Sequence, residues 1–152
     1  MIFSIADNMG GVCVFVQADR VVAAFFGTRG AERKCRLQLP PGAQQLRLEH
    51  RALGQREGLG QLVLNGVMAA DTLAMTPTFL RLVGEGIDVG LDRRRKVNAD
   101  CEGRGVYRYG AHIDRVSLTP GPQAPGSLAV WQSGKCSRGH RAMGLIGLGI
   151  NF

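Results

Sequence analysis

The stretch GIDVGLDRRRKVNADCEGRGVYRYGAHIDRVSL, residues 86–118, decides the fold. Its first part, Ile87-Asp88-Val89-Gly90-Leu91-Asp92, alternates apolar and polar residues. Its second part does the same, carries both tyrosines, Tyr107 and Tyr109, and runs on to Ile113-Asp114-Arg115-Val116. A β-strand sends successive side chains to opposite faces, so such alternation marks a strand with one buried face. Two such strands around a basic loop predict a hairpin-like pair in an all-β domain. Tyr107, Tyr109, Ala111 and Ile113 share one parity, whereas Val116 and Leu118 share the other. That switch predicts a bulge near Asp114 and Arg115, or burial on both faces.

The flanking sequence has the same character. Residues 2–6 are short, apolar and strand-like, and Asn8-Met9-Gly10-Gly11 is a turn signal. Residues 12–17 and 20–26 are compact apolar runs around a short polar turn, which predicts a hairpin. Both runs are nearly continuous, as expected of strands buried on two sides or lying at a sandwich centre. Residues 35–39 and 46–50 alternate, separated by the turn Pro40-Pro41-Gly42. Residues 54–60 are a glycine-rich polar loop by composition. Asn65-Gly66 between apolar runs is the strongest short hairpin signal, because a type I′ turn needs positive φ at both positions. Residues 71–83 are ambiguous: Thr76-Pro77 interrupts any helix, and residues 78–83 suit another short strand. Strands separated by turns every 8–12 residues or so form the pattern of a sandwich.

This gives an antiparallel β-sandwich over residues 1–119. Residues 120–127, rich in Pro and Gly, are a linker by composition, and residues 128–152 lack clear periodicity and are expected as an appended tail. The tail's apolar residues, among them Leu128, Val130, Trp131, Leu145, Ile146, Leu148 and Ile150, are available to dock on the domain.

Composition agrees. With 152 residues the chain suits one domain that needs no disulfide or metal staple. Its 22 glycines favour a turn-rich architecture. No two of Cys13, Cys35, Cys101 and Cys136 lie at C-x-x-C spacing, which excludes the common zinc and redox motifs. Neither a secretory signal pattern nor an apolar run of membrane-spanning length is present, so the expectation is a cytoplasmic protein with no membrane contact, or else a part of a larger protein. The net charge of +7 and pI near 9.9 suit polyanion partners, and equally a basic protein with none.

Candidate chemistry is sparse. No glycine cluster has the spacing of a phosphate-binding loop. His50, His112 and His140 are far apart, and no serine or cysteine sits in a nucleophile elbow. Asp88 and Asp92 share a parity and are candidate calcium ligands. Arg93, Arg94, Arg95 and Lys96 follow them directly and would neutralise those acids. The same four cations, with Tyr107 and Tyr109 beyond them, are the candidate ligand-binding residues, since clustered arginines grip sulfate or phosphate oxygens bidentately. Arg29, Arg33, Lys34 and Arg36 form a second basic group.

Taken in order, these motifs resemble the C-terminal domain of a group of bacterial arylsulfatases. Ile87-Asp88-Val89-Gly90-Leu91-Asp92 is similar to that family's F-D-V-G-x-D segment, and residues 107–116 to its F-x-F-T-G-x-I-x-x-V strand. Upstream, residues 10–16, Phe25-Phe26-Gly27, Leu39-Pro40-Pro41-Gly42 with residues 46–49, and residues 58–66 follow the family's order. The likeness spans about residues 2–119. The family's T-G-x-P is replaced by Arg93-Arg94-Arg95-Lys96. No C-x-P-x-R or S-x-P-x-R nucleophile motif exists, so no sulfatase residue carries over. The resemblance implies a jelly-roll sandwich, similar to concanavalin-A- or laminin-G-like folds, acting as a non-catalytic interaction module with no cofactor. In the family a further strand precedes the equivalent of Ile2. Its absence is expected to leave a sheet edge open to strand addition, by residues 128–131 or by a second copy in a homodimer. The alternative is a basic-loop binder of polyanions, either sulfated glycan or nucleic acid. Hydrolysis of sulfate or phosphate esters is a third reading with no residues to support it.

Overall fold

The apolar runs near the N-terminus build the first of two facing sheets. The computed structural model describes residues 1–7, 10–27, 32–54, 57–75, 87–92, 107–120 and 145–152. In this sheet β1 (Phe3–Asp7), β2 (Gly10–Gln17), β3 (Arg20–Phe26) and β4 (Glu32–Gln38) form an antiparallel meander. A fifth strand, β9 (Ile87–Val89), joins at β1, giving the order β4-β3-β2-β1-β9. Thus β1 is paired on both sides, and among the described residues the sheet's outermost strands are β4 and β9, so no edge lies open beside Ile2.

The second sheet contains β5 (Gln45–Gly54), β6 (Glu57–Leu64), β7 (Val67–Met68), β8 (Leu73–Met75), β12 (Arg115–Pro120) and β13 (Leu145–Asn151). Its order is β12-β13-β5-β6-β7, with β8 also paired to β6. A separate two-stranded ribbon pairs β10 (Leu91–Asp92) with β11 (Tyr107–Arg108). All the described strand pairings are antiparallel, and the two sheets form a β-sandwich.

One core lies between the sheets. Phe3, Val14, Val21, Ala23, Phe25 and Cys35 meet Leu46, Leu48, Leu62, Leu64, Leu73, Leu148 and Ile150. The first sheet is buried on its other face too, where Met1, Cys13, Phe15, Val22 and Ala24 form a second apolar cluster. This double burial is why β2 and β3 lack alternation. The second sheet is different: in β5 Leu46 and Leu48 are buried while Gln45, Arg47 and Glu49 are exposed.

The turn chemistry follows the sequence at one site above all. Asn65 and Gly66 take φ +48° and +84°, closing the β6–β7 hairpin as a type I′ turn requires. Asn65 Oδ1 also accepts the backbone N–H of Gln44 and Gln45, at 3.0 and 2.9 Å, which ties the turn to the start of β5.

Four expectations are corrected. Residues 87–92 are two strands, because Gly90 adopts φ +73° and breaks the pleat. The Gly90 N–H donates to Ile2 O and its carbonyl accepts from the Tyr109 N–H, so the chain leaves the first sheet there and enters the ribbon. Residues 107–118 are likewise two strands, and residues 109–114 between them carry no strand. The parity switch marked a break in the strand, not a bulge within one. Residues 57–60, within the supposed glycine loop, open β6. Gly58 gives room to the His50 imidazole, with which a Cβ would collide, and Gly60 gives room to Leu73 and Met75 of β8. Finally, Leu145–Asn151, within the supposed tail, is an interior strand paired to β12 on one side and β5 on the other. Residues 121–127, the rest of the supposed linker, residues 128–131 and the strand expected at 78–83 lie outside the described residues.

Candidate functional site

The outer face of the second sheet is the polar surface of the sandwich. Alternation sends Gln45, Arg47, Glu49 and Arg51 of β5 outward, and register aligns them with outward residues of neighbouring strands. Arg115, Asn151 and Gln45 lie level with one another, as do Ser117, Gly149 and Arg47. Glu49 is level with Gln61, and Arg51 with Leu59. These rows line a groove of about 840 Å³ that also reaches Thr72, Thr119 and His50. Its floor is low along β13: Gly149 has no side chain, and a Cβ there would lie 2.7 Å from Ser117 Oγ.

The electrostatics of the groove are net positive. Arg47 Nη1 lies 3.5 Å from Glu49 Oε1, with both side chains about half exposed. Such a pair contributes only about 0–1 kcal/mol, so it orients more than it stabilises. Arg51 and Arg115 are exposed, and among the described residues neither has an ion-pair partner.

A second opening of about 400 Å³ lies at one rim of the sandwich, bounded by Val89, Gly90 and residues 111–116. Among the described residues β9 and β12 are edge strands, and both border this rim. Ile87 and Val89 pair with Ile5 and Phe3, and Leu118 with Leu148, so all three continue the rows of the core. Yet they remain 48%, 42% and 39% exposed. Tyr109 lies two residues before the segment that bounds the opening. Its ring packs on Phe152 at a centroid distance of 5.9 Å, and burial pushes its phenol above the usual value.

Of the residues singled out in the sequence, Arg93, Arg94, Arg95 and Lys96 lie outside the described residues. Tyr107 belongs to β11, and Tyr109 follows that strand and packs on Phe152. Asp88 pairs with Ser4 across β9 and β1, whereas Asp92 belongs to the ribbon, so Gly90 parts the two candidate calcium ligands into different sheets. Among the described residues no group of three or more His, Cys, Asp or Glu side chains is placed to hold a metal. Arg47, Arg51 and Arg115 were missed because they are scattered in the sequence. Their signal was the polar parity of alternating strands, Arg47 and Glu49 between leucines and Arg115-x-Ser117-x-Thr119.

No family model, no curated protein and no solved structure matches the chain. Fold and surface chemistry therefore define it only as an antiparallel β-sandwich with a polar groove on one face and an apolar rim.

Proposed function

We propose that the protein is a non-catalytic interaction module of the jelly-roll kind, and that its rim at β9 and β12 joins a second copy of the chain. The observation that carries this is the exposure of Ile87, Val89 and Leu118, core-facing residues on the outermost described strand of each sheet. The ordered likeness to the arylsulfatase C-terminal domain supports it, since that domain resembles a cap that borders a partner surface. Edge strands also present unpaired N–H and C=O groups, which antiparallel pairing of β12 with its counterpart would satisfy.

Magnitude sets the expected strength. Fully burying an aliphatic side chain is worth about 1.5–3 kcal/mol, so covering three that are nearly half exposed yields roughly 2–4 kcal/mol per copy. Two copies give about 4–8 kcal/mol, close to the roughly 4–15 kcal/mol lost on association. Edge hydrogen bonds must supply the surplus, and the dimer is expected to be weak and concentration-dependent.

Sedimentation equilibrium tests this. The mass should rise from 16.3 kDa toward twice that value with concentration, and Leu118→Lys should hold it at the monomer. A monomer at every concentration up to about 1 mM, equivalent to roughly 4 kcal/mol of affinity, would refute self-association.

A further inference from the structure

The groove on the second sheet does not depend on self-association, and its chemistry points to a ligand. Strands lie about 4.8 Å apart, and residues two positions apart along a strand about 6.8 Å. Arg115 and Arg47 are two strands and one such step apart, about 12 Å; Arg47 and Arg51 are two steps apart, about 14 Å. The three arginine positions thus form a row of well-separated cations, diagonal from β12 to β5 and then along β5. A single small anion would meet one of them at a time. An extended chain with sparse anionic groups would meet all three.

The groups between the arginines are amides and hydroxyls. Gln45, Gln61 and Asn151 offer both donors and acceptors, and Ser117 and Thr119 offer hydroxyls. Gly149 lets a chain settle onto the sheet between Ser117 and Arg47. This lining suits a polymer whose uncharged surface is itself made of hydroxyls. It suits nucleic acid poorly. Each strand of duplex DNA carries a phosphate about every 3.4 Å, and Glu49 in mid-groove would repel such a dense row. Single strands are held largely by stacking on successive aromatic rings, and among the described lining residues there is no Phe, Tyr or Trp and only one histidine, His50.

We propose that this groove binds an extended acidic polysaccharide, a hydroxyl-rich chain with spaced sulfate or carboxylate groups, laid along the Arg115–Arg47–Arg51 row.

The test is calorimetric titration of the full chain with four probes: a heparin oligosaccharide, an oligogalacturonate, single-stranded oligothymidylate and neutral dextran. At least one acidic oligosaccharide should bind, and which of the two binds tighter tells sulfate from carboxylate. The exposed double variant R51A/R115A should lose at least about tenfold in affinity, as expected when two charge-assisted contacts go. The variant R33A/R36A, altered on an edge strand of the other sheet, should bind as the parent does. Gly149→Leu, which fills the floor, should also weaken binding. Full affinity in R51A/R115A overturns the site. Oligothymidylate binding as tightly as the better oligosaccharide overturns the ligand class. No binding of either acidic oligosaccharide overturns both.

Discussion

Deleting residues 145–152 should abolish folding, although a reading of the sequence that ends the sandwich at residue 119 expects the remainder to fold. The deletion removes β13 from between β5 and β12. Leu148 and Ile150 are 2% and 1% exposed. Cutting a buried Leu or Ile back to Ala costs about 2–5 kcal/mol, so these two side chains account for roughly 4–10 kcal/mol. β13 also holds six register pairs to β12 and five to β5, and its removal turns both neighbours into open edges. A domain is stable by only about 5–15 kcal/mol in total, so the loss matches or exceeds what is available. Urea and thermal unfolding followed by far-ultraviolet circular dichroism measure this. The shortened chain should show no cooperative transition. Ile150→Ala, the milder change, should lose about 2–5 kcal/mol while keeping the same denaturant slope. A shortened chain that melts cooperatively within about 4 °C of the full chain, a loss near 1 kcal/mol, would refute the reasoning.

Three further outcomes are expected. Asn65→Ala removes an acceptor for two backbone N–H groups and places alanine at positive φ, so it should cost about 1–2 kcal/mol in urea melts. Asn65→Gly restores the backbone freedom alone and should fall between the two; equality of all three proteins would count against the clamp. Cys13 and Cys35 are buried, and burial pushes the Cys35 thiol up, so a disulfide reagent should label at most two of the four cysteines before unfolding. Rapid labelling of three or more in the native protein would contradict this. Tyr109 has its phenol raised by burial, so the folded state keeps that proton longer than the unfolded state. Its contribution to stability is present below the ordinary tyrosine value and is lost as pH rises through the raised folded one. Tyr109→Phe should flatten the alkaline decline, and an unchanged decline would remove Tyr109 as its cause.

The sequence carried the fold class well where local physics dominates. Asn65-Gly66 foretold its own turn, and the unbroken apolar runs of β2 and β3 allowed two readings, one of them the burial on two faces that is found. It carried β13 poorly. Gly147 and Gly149 occupy the outward parity of that strand, so its alternation is glycine against Leu148 and Ile150 rather than polar against apolar. The position of β13 is set by β5, about a hundred residues away, and no local pattern reports such a partner. The groove was obscured for a related reason. Contiguous charge draws notice to Arg93, Arg94, Arg95 and Lys96, whereas Arg47, Arg51 and Arg115 become neighbours only once β13 lies between their strands. The split at Gly90 was hidden because glycine fits the polar parity of an alternating strand as readily as it fits a break.

The double burial of the first sheet bears on how this protein can change. Along β5 every second position faces solvent and should accept almost any polar residue in a saturation-mutagenesis survey. Residues 13–15 in β2 and 21–24 in β3 have no such position, because both parities are buried. A substitution tolerated there must be apolar and close in volume. Tolerance should therefore recur with a period of two along the second sheet and vanish across the middle of the first. New binding chemistry can accumulate on the outer face of the second sheet while the fold persists, and the centre of the first sheet has no comparable face to vary.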